Sequence, residues 1–320
     1  MDPRRWQIVG QGWFSPAAAA CGERDIVLFA RAASGELIHR RRQGDDWGPV
    51  ITVGVPVAPG IPVEWPLSAC STGAGEVQLV ARGAEGELLH ATLRGEDWSG
   101  FECVGSPAGL DGAPMGLAGA PVVCSREPGK MEVFAVGSGG ALLHATWDET
   151  GFREFESLGG IERTGSASEP IPGAIAACNC GSRALAVLAR GPTGDLLLKW
   201  WNGRIWSAFE SLGAPQEPDQ TYPAVRRAVP LASAPIACGG GAARLDIFAR
   251  GPRGDLLHKW WDGKTWSGFE SMGMPIAAET GTRLPFTGIS MTAVRGSDRL
   301  DVLARAADGN LYAASSPGSF

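Results

Sequence analysis

The chain has 320 residues, long enough for one large or two ordinary domains, and it combines 46 Gly and 23 Pro with 44% hydrophobic residues and 12 Trp, which excludes a disordered chain. A net charge of -6, with basic residues scattered apart from Arg40, Arg41 and Arg42, offers no footprint for a nucleic-acid backbone. No run approaches the roughly 18 to 20 apolar residues of a membrane-spanning helix, so a soluble protein with no membrane span is expected.

At the amino terminus MDPRRWQIVG carries charge but no apolar stretch of about 7 to 15 residues behind it. A secretory signal is therefore not expected, and the chain is placed in the cytoplasm or released without a signal peptide. Seven cysteines, an odd number, fit free thiols better than a disulfide framework. The first element, RWQIVG from Arg5 to Gly10, is a short segment closed by a glycine.

Beyond it the chain repeats itself. Residues 26–54 read IVLFARAASGELIHRRRQGDDWGPVITVG and residues 77–105 read VQLVARGAEGELLHATLRGEDWSGFECVG. Residues 132–159 give EVFAVGSGGALLHATWDETGFREFESLG, residues 185–213 LAVLARGPTGDLLLKWWNGRIWSAFESLG, and residues 244–273 RLDIFARGPRGDLLHKWWDGKTWSGFESMG. The closing glycines, Gly54, Gly105, Gly159, Gly213 and Gly273, are spaced by 51, 54, 54 and 60 residues. A sixth copy opens as RLDVLARAADGNLYAAS at Arg299 and stops before its W-x-x-x-G ending, which RWQIVG supplies from the other terminus. A repeat split in this way is what a closed ring requires.

Each copy reads as strands. LDIFAR and LLHKWW are runs of β-formers joined by a five-residue turn such as GPRGD, and Asp-Gly or Asn-Gly marks the next hairpin in WDGKTW and WNGRIW. Small-residue strands (AAAAC, PLSAC, PVVC, AIAAC, PIAC) precede the copies and suit a crowded hub. The expected fold is all-β: a single six-bladed β-propeller of four-stranded antiparallel blades, over about residues 16–54, 66–105, 121–159, 172–213, 230–273 and 289–320, the last completed by residues 1–10. The long connections between copies should gather on one face of the ring.

All four histidines, His39, His90, His144 and His258, occupy one repeat position, with Leu198 and Ala313 in the other two copies. Arginine recurs at Arg31, Arg82, Arg190, Arg250 and Arg305, with Val136 as the exception. A hairpin pairing Arg250 with Leu256 sets Phe248 opposite His258 and Asp246 opposite Trp260, so that one blade face carries Asp246, Phe248, Arg250, His258 and Trp260. No other copy has Asp, Arg, His and Trp together there.

An aromatic face stacks on sugar C–H groups while Arg, His and carboxylates bond hydroxyls. The candidate ligand-binding residues are therefore Asp246, Arg250, His258, Trp260 and Glu270, with Arg190, Trp200 and Glu210 and with Arg82, His90 and Trp98 in two other copies. The gap flanked by the two Trp-Trp copies is the first choice. The same residues also admit a structural role: a repeated Arg bridging blades through backbone carbonyls, a repeated His satisfying one buried group, and a repeated Trp at Trp6, Trp47, Trp98, Trp206 and Trp266 filling the core. Cys21, Cys70, Cys124, Cys178 and Cys238 share a register near the end of the hub strand, but without a C-x-x-C pair neither a metal nor a cofactor is expected.

The string L-x-x-F-A-R-G-x-x-G-x-L-x-H-K-W-W-x-G-x-W-S-G-F-E-S-L-G, best matched at residues 244–273 and 185–213, resembles the repeat of bacterial lectins of the Photorhabdus lectin type. That resemblance implies a β-propeller binding fucose and related, often O-methylated, glycans in pockets between blades, at several sites per ring. The best-known members have seven blades, where this chain counts six. The partners expected are glycans or another small-molecule ligand, and an oligomer is compatible with the sequence. Alternatives are a cofactor-free enzyme of the cyclase or isomerase type using the axial or loop-covered face, and a protein-interaction scaffold. No catalytic residue is assigned, because no nucleophile with a nearby base, phosphate loop or metal spacing is present.

Overall fold

Alternation of small or apolar residues with turn glycines drives each repeat into a meander of short antiparallel strands, too small to bury its own faces. A computed structural model describes residues 6–20, 25–58, 61–108, 114–162, 169–181, 184–218, 222, 224–240, 244–296 and 299–317. It shows six antiparallel sheets in a ring, a six-bladed β-propeller with no helix among the described residues.

Blade I consists of Phe14–Ala20, Ile26–Arg31, Leu37–Gln43 and Asp46–Gly54, from the axis outward. Blade II has Ile61–Gly73, Glu76–Gly83 and Leu88–Arg94, with an outer strand broken into Asp97–Trp98 and Glu102–Gly105. Blade III has Val122–Cys124, Met131–Val136, Leu142–Asp148 and the pair Gly151–Phe152 and Glu156–Gly159. Blade IV runs Ile175–Asn179, Leu185–Arg190, Leu196–Trp201 and Glu210–Ser211, and blade V runs Ile236–Gly240, Arg244–Arg250, Leu256–Trp261 and Glu270–Ser271.

Blade VI joins both ends of the chain. Phe286–Arg295, Arg299–Ala306 and Asn310–Pro317 are completed by Gln7–Gln11, whose Gln7 pairs with Ala313 and Gln11 with Asn310. Trp6 packs on Phe286 at a centroid distance of 4.8 Å. The expected closure is met, with one correction. Gln7 faces Ala313 as Glu270 faces His258, so Trp6 takes the place of Phe269 and not of Trp266.

Six apolar clusters fill the gaps between successive blades, so most of the core lies between sheets. The turn from second to third strand is pressed against the chain entering the next blade. Gly194 and Gly254 sit there at φ +82° and +81°, and a Cβ on them would lie 2.3 Å from Pro230 Cβ and 2.6 Å from Pro285 Cβ. Leu231 and Phe286 donate their backbone N–H to the Gly194 and Gly254 carbonyls at 2.8 Å, which places these inter-blade connections beside the same turns.

Candidate functional site

In blade V the expected register holds at every pair: Asp246 faces Trp260, Phe248 faces His258 and Arg250 faces Leu256. Because side chains alternate across a strand, this strand pair has two unlike faces. Leu245, Ile247, Ala249 and Leu257 pack towards blade IV, while Phe248 and Leu256 pack towards blade VI. Asp246, His258 and Trp260 share the second face. The set therefore looks into the V–VI gap, not into the gap between the two Trp-Trp copies that the sequence favoured.

The site is a stacked column beside a buried carboxylate. Phe248 and His258 lie 4.6 Å apart and 10° from parallel, and His258 and the half-buried Trp260 lie 5.0 Å apart at 26°. His258 Nε2 donates to Asp246 Oδ1 at 2.9 Å. Arg244 donates Nη2–H to Oδ1 at 2.9 Å and Nε–H to Oδ2 at 3.0 Å, and Arg295, from the inner strand of blade VI, donates to Oδ2 as well. Each carboxylate oxygen thus receives two hydrogen bonds.

Asp246 is wholly buried. Burial alone would raise its pKa, but the bonds from His258 and Arg244 and the charges of Arg295 and Arg244 outweigh it and hold the carboxyl down at about 2. The Arg244 guanidinium also lies 5.9 Å from the centre of the Trp260 ring, and Glu270 pairs with His258 from the exposed outer strand. Trp260 is therefore bordered by a guanidinium, and Glu270 stands on the strand opposite the imidazole that Trp260 stacks on.

Arg250 does not join this group. It donates to the Ala232 carbonyl at 2.8 Å, while Arg190 donates to the Leu231 carbonyl and Arg82 to the Leu117 carbonyl, each at 2.6 Å. Arg190 and Arg82 thereby tie their blades to the chain entering the next one, the bridging role weighed for this position. Trp98 packs edge-on against Phe101 at 5.5 Å within the apolar cluster of blades I and II.

The other gaps vary the same theme. His90 reaches Gln78 at 2.8 Å and Glu102 at 3.2 Å, with Trp147 and Phe152 of blade III at 5.4 and 5.2 Å. His144 sits between Glu132 and Glu156, each at 2.8 Å, against Trp206 of blade IV. Burial would lower the pKa of His144, but both carboxylates together raise it, whereas burial prevails over Glu102 and lowers that of His90. In blade IV, Ala186 and Leu198 replace the acid and the His, leaving Trp200 exposed and Glu210 on the rim opposite Leu198. Between blades VI and I, Arg42 donates to both oxygens of the buried Asp301 at 2.6 and 2.7 Å.

Of one column of the repeat, a polar residue inside otherwise apolar second strands, sequence reading singled out Asp246 but missed its counterparts Gln78, Glu132 and Asp301. The signal was a polar letter at a fixed place in VQLVAR, MEVFAV, LDIFAR and LDVLAR. Arg295 carries no such signal, because its role depends on the neighbouring blade.

The axis holds two cavities. One, of about 150 Å³, is lined largely by Ala and Pro with Leu67, Ile175 and Met291, and the other, of about 360 Å³, by Cys70, Cys124, Cys178 and Cys238 with Ser71, Asn179 and Arg295. Burial pushes Cys238 up to about 12 and Cys70 higher still, so these thiols stay protonated. In blade I the register places Ala19, opposite Val27, where blades II to V have Cys and blade VI has Val294, and Cys21 lies outside the described residues. Among the described residues no three His, Cys, Asp or Glu side chains form a metal-binding group, and no helix is long and apolar enough to cross a membrane.

Fold and repeat together define a six-bladed β-propeller. Residues 245–280 match a family described as a repeat of unknown function, DUF346, and no curated protein sequence matches the chain. Among solved structures, the fucose-specific lectin of Aleuria aurantia is 15% identical with a TM-score of 0.63, over 98% of this chain and 97% of that one. AofleA from Arthrobotrys oligospora is 15% identical with a TM-score of 0.65, over 98% and 86%, and the BP39L lectin of Burkholderia pseudomallei is 19% identical with a TM-score of 0.56, over 96% and 97%. At these identities the likeness is one of fold.

Proposed function

We infer that the protein is a carbohydrate-binding lectin that takes fucose-like or O-methylated glycans between blades and does not turn them over. The observation that carries this is the half-buried Trp260, stacked on His258 and bordered by Arg244, with Glu270 on the strand opposite His258. Trp260 offers apolar surface for sugar C–H groups and methyl groups, and the guanidinium offers N–H donors to ring, ether or hydroxyl oxygens. Asp246 already accepts four hydrogen bonds, so its role is to hold Arg244, Arg295 and His258 in place. On the outer strand, Glu270 offers a carboxylate as an acceptor for a sugar's hydroxyls. The fucose-specific lectin of Aleuria aurantia, which shares the fold, supports the same reading.

An enzyme of the axial cavity is less well supported, since the described ionisable groups lining it are un-ionised thiols and one Arg, with no carboxylate or imidazole for proton transfer. A glycan array carrying fucosides and O-methylated sugars tests the proposal. Binding that Trp260→Ala abolishes is expected, and silence across both sugar classes would refute it.

A further inference from the structure

If ligand binds beside Trp260, the next question is how many of the six gaps work. The site needs an acid to anchor guanidinium groups, an imidazole, an aromatic platform, and an Arg from the next blade. Arg295 follows Val294, which pairs with Asp301 as Cys238 pairs with Asp246, so its counterparts are the residues after the hub cysteines: Ser71, Ser125, Asn179 and Gly239, with Ala20 in blade I. Blade VI alone supplies an Arg at this position.

Each remaining gap fails for a stated reason. In the I–II gap Val27 replaces the acid, and buried His39 Nδ1 has no hydrogen-bond partner. In the II–III and III–IV gaps Thr92 and Thr146 stand where Trp260 does, and Trp147 with Phe152, or Trp206, covers the imidazole instead. The IV–V gap has Trp200 but no acid or imidazole. It also has no room for an arginine, because a Cβ on Gly239 would lie 1.5 Å from the Asn179 carbonyl oxygen.

The VI–I gap keeps the acid and is shut by the protein itself. Arg42, with 3% of its side chain exposed, grips both oxygens of Asp301, while Ala313 and Ser315 replace His and Trp. Arg42 thus acts as an internal occupant of the gap between the blade that joins the chain ends and blade I.

We propose that the ring holds one complete sugar site, in the V–VI gap, with Arg244 and Arg295 as positioned donors and the other five gaps serving as structure. This rests on the reading under Proposed function and narrows it to one ligand per chain. The difference matters physically, because a ring with one site cannot cross-link a glycan surface unless two chains associate.

Titration calorimetry and native mass spectrometry of the full chain with methyl α-L-fucoside and its O-methylated derivatives count the sites. One equivalent per chain is expected, lost in Trp260→Ala, weakened at least 10-fold in Arg244→Ala and unchanged in Thr146→Ala, with thermal unfolding checking that each variant is folded. Two or more equivalents, or one that survives Trp260→Ala, would overturn the single-site proposal and leave the lectin reading standing. No binding of any of these sugars overturns both.

Discussion

Blades IV and V are nearly the same sequence, LAVLARGPTGDLLLKWW against LDIFARGPRGDLLHKWW, and both keep Trp at positions 200 and 260. Four changes separate their functional faces: Ala184 against Arg244, Ala186 against Asp246, Leu188 against Phe248 and Leu198 against His258. In blade V the tryptophan stacks on an imidazole held by a buried carboxylate, while in blade IV it stands 46% exposed beside Leu198. A motif shared by two blades therefore describes the scaffold, and the site comes from the few positions at which they part, together with what the next blade presents.

The comparison is sharpened most by moving the acid. Asp246→Ala leaves Arg244 and Arg295 facing each other in a nearly buried site without their counter-charge, and a loss of about 3 to 5 kcal/mol in denaturant unfolding is expected. The opposite exchange, Ala186→Asp in blade IV, buries a carboxylate with Gly239 where blade VI has Arg295. It should also destabilise, although it makes the two blades more alike. A stabilising Ala186→Asp would break the comparison.

Where the blades agree, equal effects are expected. Gly194→Ala and Gly254→Ala each force a side chain onto positive φ and against a proline, at a cost of about 1 to 3 kcal/mol apiece, measured by thermal or denaturant unfolding. Acid should then separate the blades again. The folded pKa of Asp246, about 2, lies below its ordinary 3.8, so its contribution is present above pH 3.8 and fades as pH falls towards 2. That difference is worth about 2 kcal/mol, visible as an acid-labile component of stability that Asp246→Asn removes.

His144 behaves in the opposite sense and more weakly. Its raised pKa means that the stability from its bonds to Glu132 and Glu156 is complete below about pH 6.5 and is lost as pH climbs through the higher folded value. A His144→Gln variant should therefore lose part of the wild type's gain in melting temperature between pH 8 and pH 6.

The ring was legible in the sequence because it rests on local rules. Strand alternation, turn glycines at positive φ and a repeat divided between the termini gave six blades, and the equal count between Arg250 and Leu256 gave the blade V register residue by residue. The candidate site was half legible. Asp246, His258 and Trp260 come together as expected, but which gap they enter depends on the side of the sheet they occupy, and a strand pattern does not say which neighbour that side faces.

Arg250, Arg190 and Arg82 looked like ligand residues because Arg is chemically able to bind sugar, yet they donate to backbone carbonyls at the turns where blades meet. Arg244 and Arg295 passed unremarked. The first hides at the start of a strand, and the second belongs to a hub strand 49 residues from the carboxylate it serves.

The most direct test of the central claim is a crystal of the protein soaked with methyl α-L-fucoside. The account predicts one sugar per chain in the V–VI gap, its apolar side on Trp260 and its oxygens near Arg244 and Glu270. Sugar beside Trp200, or in the axial cavities with the V–VI gap empty, would contradict it.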